Sequence, residues 1–234
     1  GTYGNVEIVN INSNTMAEVK ATDIAMQPDG KILIAGNYTN SVSFPNEAMI
    51  LWRLKSNGSF DSSFGANGTL DLRNYISGWN SSVNKILVQD DGKILLGGAS
   101  NYYFGNPQFT LFRLLSNGAA DASFGKVMAG YVYENFHGTT NNYCTALALQ
   151  PDGKIVAGGN NYSSHGTQSW CFMRFNKNGN LDKNFNSSGK LLLDSLVEGP
   201  VKSMAVGSNG KIVAAGWATY YHNTTLYYNL ATIL

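Results

Sequence analysis

Three histidines, His137, His165 and His222, and three unrepeated acids, Glu47, Glu134 and Glu198, are the side chains with the widest chemical reach in this sequence. Three imidazoles can ligate zinc or copper, yet these three show no tight ligand spacing. Hydrolysis asks for two carboxylates facing each other, or a nucleophile beside a base. The acids are spread along the chain, and no G-x-S-x-G, Walker or G-x-G-x-x-G loop stands between a strand and a helix. With no motif behind catalysis, the expectation is a chain that is not an enzyme and holds no metal and no cofactor.

Recognition has more residues behind it. Trp79, Tyr102, Tyr103, His137, Tyr162, His165, Trp217, Tyr220, Tyr221 and His222 lie in segments rich in Asn, among them Asn80, Asn101, Asn160 and Asn161. Flat rings beside amide donors and acceptors suit sugar rings, which present an apolar face ringed by hydroxyls. They equally suit a protein partner, where Tyr and Trp are enriched. These ten residues are the candidate ligand-binding set.

A repeated phrase positions them. Gln27-Pro28-Asp29-Gly30-Lys31-Ile32 returns as Gln89-Asp90-Asp91-Gly92-Lys93-Ile94, as Gln150-Pro151-Asp152-Gly153-Lys154-Ile155, and in worn form as Gly207-Ser208-Asn209-Gly210-Lys211-Ile212. The period is roughly 60 residues, and a fixed period means that one supersecondary unit is stacked. In the second copy Thr69–Arg73, Val83–Gln89, Lys93–Gly98 and Phe109–Leu114 read as four short strands. The Asp-Gly turn joins the second to the third: Pro presets φ, Asp bonds locally and Gly takes positive φ. No sustained helical period occurs, so no helix is expected.

Four antiparallel strands per unit match a β-propeller blade. The expected fold is all-β, a propeller of four four-stranded blades, closed as a ring or part of a larger one. It forms a single domain over residues 1–234, with repeats at about 1–60, 61–121, 122–182 and 183–234. Gly1-Thr2 corresponds to Gly68-Thr69, so each blade is read as beginning with that strand, with none left over for an interlocked closure. The Ala/Gly ends of the third strands allow close approach of neighbouring sheets. Cys144 and Cys171 fall on strands separated by a third, beyond disulfide reach, and are expected as free thiols.

In such a blade alternate loops emerge on opposite faces. The constant turns share one face, so the variable, aromatic loops share the other, and that face is the expected binding surface. A residue recurring once per blade is scaffold first. Arg53, Arg113 and Arg174, with Asp61, Asp121 and Asp182, are therefore read as ties between blades, and Phe64, Phe124 and Phe185 as plugs.

Bulk numbers narrow the partners. Charged residues are 13% of the chain and the formal charge is +1, which provides no field for nucleic acid or an anionic bilayer. No apolar run is long enough to span a membrane. A carbohydrate, a protein, a second copy or further blades of a parent protein remain as partners.

The phrase continues through Arg53-Leu54-Lys55-Ser56-Asn57-Gly58-Ser59-Phe60-Asp61-Ser62-Ser63-Phe64-Gly65, with later copies at 113–125 and 174–186. Together with QPDGKI this resembles the delta-60 repeat, a β-propeller family of secreted and surface bacterial proteins. The resemblance implies a propeller and a secreted or cell-surface location, and it implies no chemistry. Three functions follow as expectations. The first is an exported, non-catalytic module binding glycan or protein, the second a spacer or assembly module of a larger surface protein. The third is a polysaccharide-active enzyme using acids such as Glu134 with His137.

Overall fold

The Asp-Gly turn closes as its chemistry requires. Gln27 N–H donates to the Lys31 carbonyl at 2.8 Å, Lys31 N–H donates to Asp29 Oδ1 at 3.2 Å, and Gly30 takes a φ of 81°. Gly92, Gly153 and Gly210 repeat that conformation, and in the worn copy Asn209 replaces Asp as the local acceptor. Around these turns a computed structural model describes residues 18–39, 47–75, 79–102, 105–125, 130–136, 141–163, 166, 168–216, 220–222, 225–227 and 231–233.

The first sheet contains β1 (Glu18–Met26), β2 (Ile32–Thr39), β3 (Glu47–Leu54) and β4 (Thr69–Asp71), paired in that order. The second has β5 (Trp79–Val88), β6 (Ile94–Tyr102), β7 (Gln108–Leu114) and β8 (Tyr131–Glu134). The third has β9 (Asn141–Leu149), β10 (Ile155–Tyr162), β11 (Gln168–Phe175) and β12 (Lys190–Glu198). Among the described residues the fourth has three strands, β13 (Val201–Val206), β14 (Ile212–Gly216) and β17 (Ala231–Ile233). A separate hairpin joins β15 (Tyr220–His222) to β16 (Thr225–Tyr227).

Two expectations change here. Thr69–Asp71 bonds backward to β3 and is the outer strand of the first sheet, not the first strand of the second. Repeat and sheet are therefore out of phase by one strand, and the fourth sheet lacks an equivalent of β4 among the described residues. After Asp71 the chain enters a 3₁₀ turn at Leu72–Asn74, capped by Asp71 Oδ1 accepting from Arg73 N–H, where no helix was expected.

Successive inner strands pack against each other, β1 on β5, β5 on β9 and β9 on β13. Each interval between sheets holds its own apolar core. Leu33, Ala35 and Phe64 pack on Ile86, Ile94 and Leu96; Leu95 and Phe124 pack on Leu147, Ile155 and Ala157; Val156 and Phe185 pack on Ile212 and Ala214. The propeller type of packing stands, while among the described residues the sheets do not close into a ring. A Cβ on Gly97 would fall 2.7 Å from Cys144 Sγ of the next sheet, and one on Gly158 would fall 2.6 Å from Met204 Sδ, so glycine does permit close approach.

The repeated ion pair is scaffold. Arg53, Arg113 and Arg174 donate from Nε to Asp61, Asp121 and Asp182 at 2.8–2.9 Å, with each guanidinium over Phe64, Phe124 or Phe185. The second arm of Arg53 donates to the Ser116 carbonyl of the next sheet at 2.7 Å, and that of Arg113 donates to the Lys177 carbonyl. Cys144 and Cys171 both pair with Gly159 from opposite sides, buried and unbonded to each other. Burial pushes both thiols far above their ordinary range.

Candidate functional site

Antiparallel alternation brings the starts of β3, β5, β7 and β9 to one end of the sheets, together with the ends of β2, β6 and β10. There the copies stop resembling one another. Thr39, Asn101 and Tyr162 hold one strand-end position in three sheets, and scaffold repetition no longer explains them. A polar pocket of about 120 Å³ opens among these ends, walled by Glu47, Asn80, Ser81, Ser100, Asn101 and Tyr143 with neighbouring main chain.

Three sheets contribute to it. Glu47 N–H donates to Asn80 Oδ1 at 2.8 Å, which joins the first sheet to the second. Asn101 Nδ2 is held by the Gly105 carbonyl at 2.7 Å. Ser100 Oγ exchanges hydrogen bonds with Thr110 Oγ1 at 2.7 Å and with Tyr131 Oη. Ser81 is 2% exposed, and its Oγ has no hydrogen-bond partner among the described residues. An unpaired buried hydroxyl costs free energy, so its place at the wall of a pocket is informative. Tyr143 stands edge-on to Tyr162 at 5.7 Å and supplies an apolar shoulder.

Charge at the pocket is limited to one acid. Burial pushes the Glu47 carboxyl above its usual range; Lys20 opposes this and Glu18 adds to it. Glu18 and Glu47 flank Thr39 in one row of the first sheet, so their side chains share a face. Glu18 is engaged by Lys20 at 2.9 Å. The arrangement can accept and donate hydrogen bonds to a neutral polyhydroxylated group, with Glu47 as the titratable member.

Two larger cavities are differently built. One of about 680 Å³ lies on the constant-turn face, lined by repeated Asp91, Lys93, Arg113 and Gln150. Of its charged lining residues, Lys93 pairs with Asp91 at 3.1 Å and Arg113 with Asp121 at 2.8 Å, contacts that recur from sheet to sheet as scaffold. The other, about 470 Å³, runs along β8 beside Tyr133, Glu134, Asn135 and Asn180. Glu134 there accepts from Lys190 Nζ at 2.8 Å, which ties up the acid that the enzyme reading relied on.

Of the ten candidate residues, Tyr162 is placed with its surroundings, half-buried at the rim beside Tyr143. The Trp79 and Tyr102 backbones pair with each other at the same sheet end. Tyr220, Tyr221 and His222 form β15. Tyr103, His137, His165 and Trp217 lie outside the described residues. Ser81, Ser100 and Tyr143 were not anticipated; the signal open to sequence reasoning was disagreement between copies at strand ends.

With fold and site in view, the class is a β-propeller repeat protein. Residues 27–64, 89–124 and 150–185 match the model of a β-propeller domain of unknown function, DUF5122. No curated protein matches the chain. Among solved structures it is similar to "Hadza microbial sialidase Hz136", at 10% identity and a TM-score of 0.59, over 92% of this chain and 47% of that one. It also matches a PL25 polysaccharide lyase, an ulvan lyase, at 12% identity and 0.46, over 82% of this chain and 50% of that one. A glucose dehydrogenase matches at 11% and 0.38, over 82% and 76%. The chain spans about half the length of the first two.

At such identities the likeness is one of fold. It nevertheless overturns the expectation that this chain is not an enzyme. That expectation rested on an all-β fold without a catalytic motif, and a sialidase shares the fold at 10% identity. Lack of a recognisable motif on this scaffold therefore does not exclude catalysis.

Proposed function

We propose that this chain is an exported propeller of four delta-60-type blades whose variable-loop face recognises a glycan. Entry is at the pocket between Glu47, Asn80, Ser81, Asn101 and Tyr143. The observation that supports this most directly is the Ser81 hydroxyl, buried at the wall and without a partner among the described residues. A sugar hydroxyl is the simplest group that would satisfy it while bonding to Asn80 and Asn101. The pocket has room for one edge of a ring, and Tyr143 with Tyr162 offers a surface for the apolar face. Trp79, Tyr102, Tyr103, His137, His165, Trp217, Tyr220, Tyr221 and His222 are proposed as further ligand contacts.

The test is a glycan array followed by calorimetry on any hit. Ser81→Ala, Asn101→Ala and Tyr143→Ala are expected to weaken binding by tenfold or more. Tyr133→Ala, in the groove along β8, is expected to leave it unchanged. No glycan bound by the wild type, or binding indifferent to all three pocket substitutions, removes the proposal.

A further inference from the structure

Position 47 departs from its own repeat. Leu54, Leu114 and Phe175 pair with the three turn isoleucines, and seven residues before them stand Glu47, Pro107 and Gln168. Gln168 faces Tyr162 in the register in which Glu47 faces Thr39, with the same side-chain length and no charge. A neutral side chain therefore serves the scaffold at this position, and the charge at 47 is an addition. It is a costly one, since burial works against the ionised carboxyl.

Nothing in the pocket compensates that charge. Among the described residues its walls hold no Lys, Arg or His. Lys20 lies in an adjoining crevice that shares Glu47, and there Glu18 already engages it at 2.9 Å. The amides beside Glu47 are set for a group that both donates and accepts. Asn80 and Asn101 stand opposite each other across β5 and β6, so their side chains share a face. Asn80 Oδ1 is taken by the Glu47 N–H, which leaves Nδ2 to donate. Asn101 Nδ2 is taken by the Gly105 carbonyl, which leaves Oδ1 to accept.

We infer that Glu47 is a specificity-determining residue of this pocket, which admits uncharged sugar residues and rejects anionic ones such as uronates, sialosides and sulfated sugars. The inference rests on the glycan reading of the pocket and names the class of glycan. A pair of sugar hydroxyls meets Asn80 Nδ2 and Asn101 Oδ1 at once. A carboxylate or sulfate only accepts, so it would meet Asn101 Oδ1 and Glu47 unfavourably and find no cation to pair with. Like charges in a partly desolvated site repel more strongly than they do in water. Ser81, buried at the wall, is satisfied by a hydroxyl of either kind of sugar, so the discrimination falls to Glu47.

An array of uncharged, amino, uronate, sialylated and sulfated oligosaccharides, read at pH 7, tests this. Uncharged glycans are expected to bind at least tenfold tighter than their anionic counterparts, a glucoside against a glucuronide for example. In Glu47→Gln, which installs the side chain of the third sheet and is checked for folding by circular dichroism, the ratio is expected to fall below threefold. Anionic glycans bound as tightly as uncharged ones by the wild type overturn the inference and leave the glycan reading standing. An unchanged ratio in Glu47→Gln also overturns it, since shape and not charge then discriminates. Tenfold preference for an amino sugar overturns it as well, because the carboxylate then recruits a cation. Failure of every glycan to bind removes the glycan reading itself, and the inference with it.

Discussion

Arg113 reaches from the second sheet to the main-chain oxygen of Lys177 in the third, while its Nε holds Asp121 at 2.8 Å. One guanidinium thus fastens its own chain reversal and the neighbouring sheet together. Arg174 keeps the Asp182 bond, but its side chain is 17% exposed against 5% for Arg113, and no bond to a following sheet is found for it among the described residues.

Removal of Arg113 should therefore cost more than removal of Arg174. Arg113→Ala leaves the buried Asp121 with only Lys93 at 3.6 Å and the Ser123 donors, at about 3 kcal/mol. Arg174→Ala is expected nearer about 1–3 kcal/mol. Arg113→Lys should recover little, because an ammonium cannot reproduce the forked bonds. Urea unfolding midpoints of the three variants check the order.

The same pairs make the fold sensitive to acid. The Ser63 hydroxyl, its amide and Arg53 hold the Asp61 carboxyl below its ordinary value. At Asp121 and Asp182 burial works against this, but the amides, Arg113 or Arg174 and, at Asp121, the Ser123 hydroxyl outweigh it. A depressed folded value means stability is present above the unfolded carboxylate value and lost as pH falls through the folded one. The contribution of these three pairs should be flat from neutrality down to about pH 4 and drop below that. Asp121→Asn should shrink the drop, as read from urea midpoints across pH.

Glu47 works in the opposite sense. Its raised carboxyl binds the proton more tightly when folded, so ionisation costs stability as pH rises from the ordinary carboxylate value through the folded one. Glu47→Gln should raise the melting temperature at pH 7 and leave it unchanged near pH 3. The main-chain bond from residue 47 to Asn80 survives the substitution.

Gly159 sits where β9 bulges, and a Cβ there would fall 1.8 Å from the Tyr143 carbonyl and 3.0 Å from the Phe109 ring. Backbone cannot yield as a side chain can, so Gly159→Ala should cost about 3 kcal/mol or more. Gly166→Ala meets open space and only a φ of 83°, for about 1–2 kcal/mol. Thermal unfolding distinguishes them.

Local chemistry was legible in advance; partnership was not. The Asp-Gly turns, the strands beside them, the isolation of Cys144 from Cys171 and the structural use of Arg53 with Asp61 follow from turn geometry and repetition. The phase of the sheets did not, because a run such as Thr69-Leu70-Asp71 carries no mark of which neighbour it will bond. At the pocket, Glu47 stood out as an unrepeated acid and Asn80 as one of many amides. Ser81, Ser100 and Tyr143 carry no spacing signal of their own. They acquire meaning only when β5, β6 and β9 bring them together.

Because the outer strand of each of the first three sheets is donated by the following repeat, the repeats are links and not beads. A deletion cut at the sequence-repeat boundary after residue 60 would strip the first sheet of Thr69–Asp71. Excision between sheets, in the connection from Asp71 to Trp79, would keep every hydrogen-bonded ladder whole. Lengthening or shortening the array without damage therefore has its joints in the variable loops, the same segments in which recognition is proposed to reside.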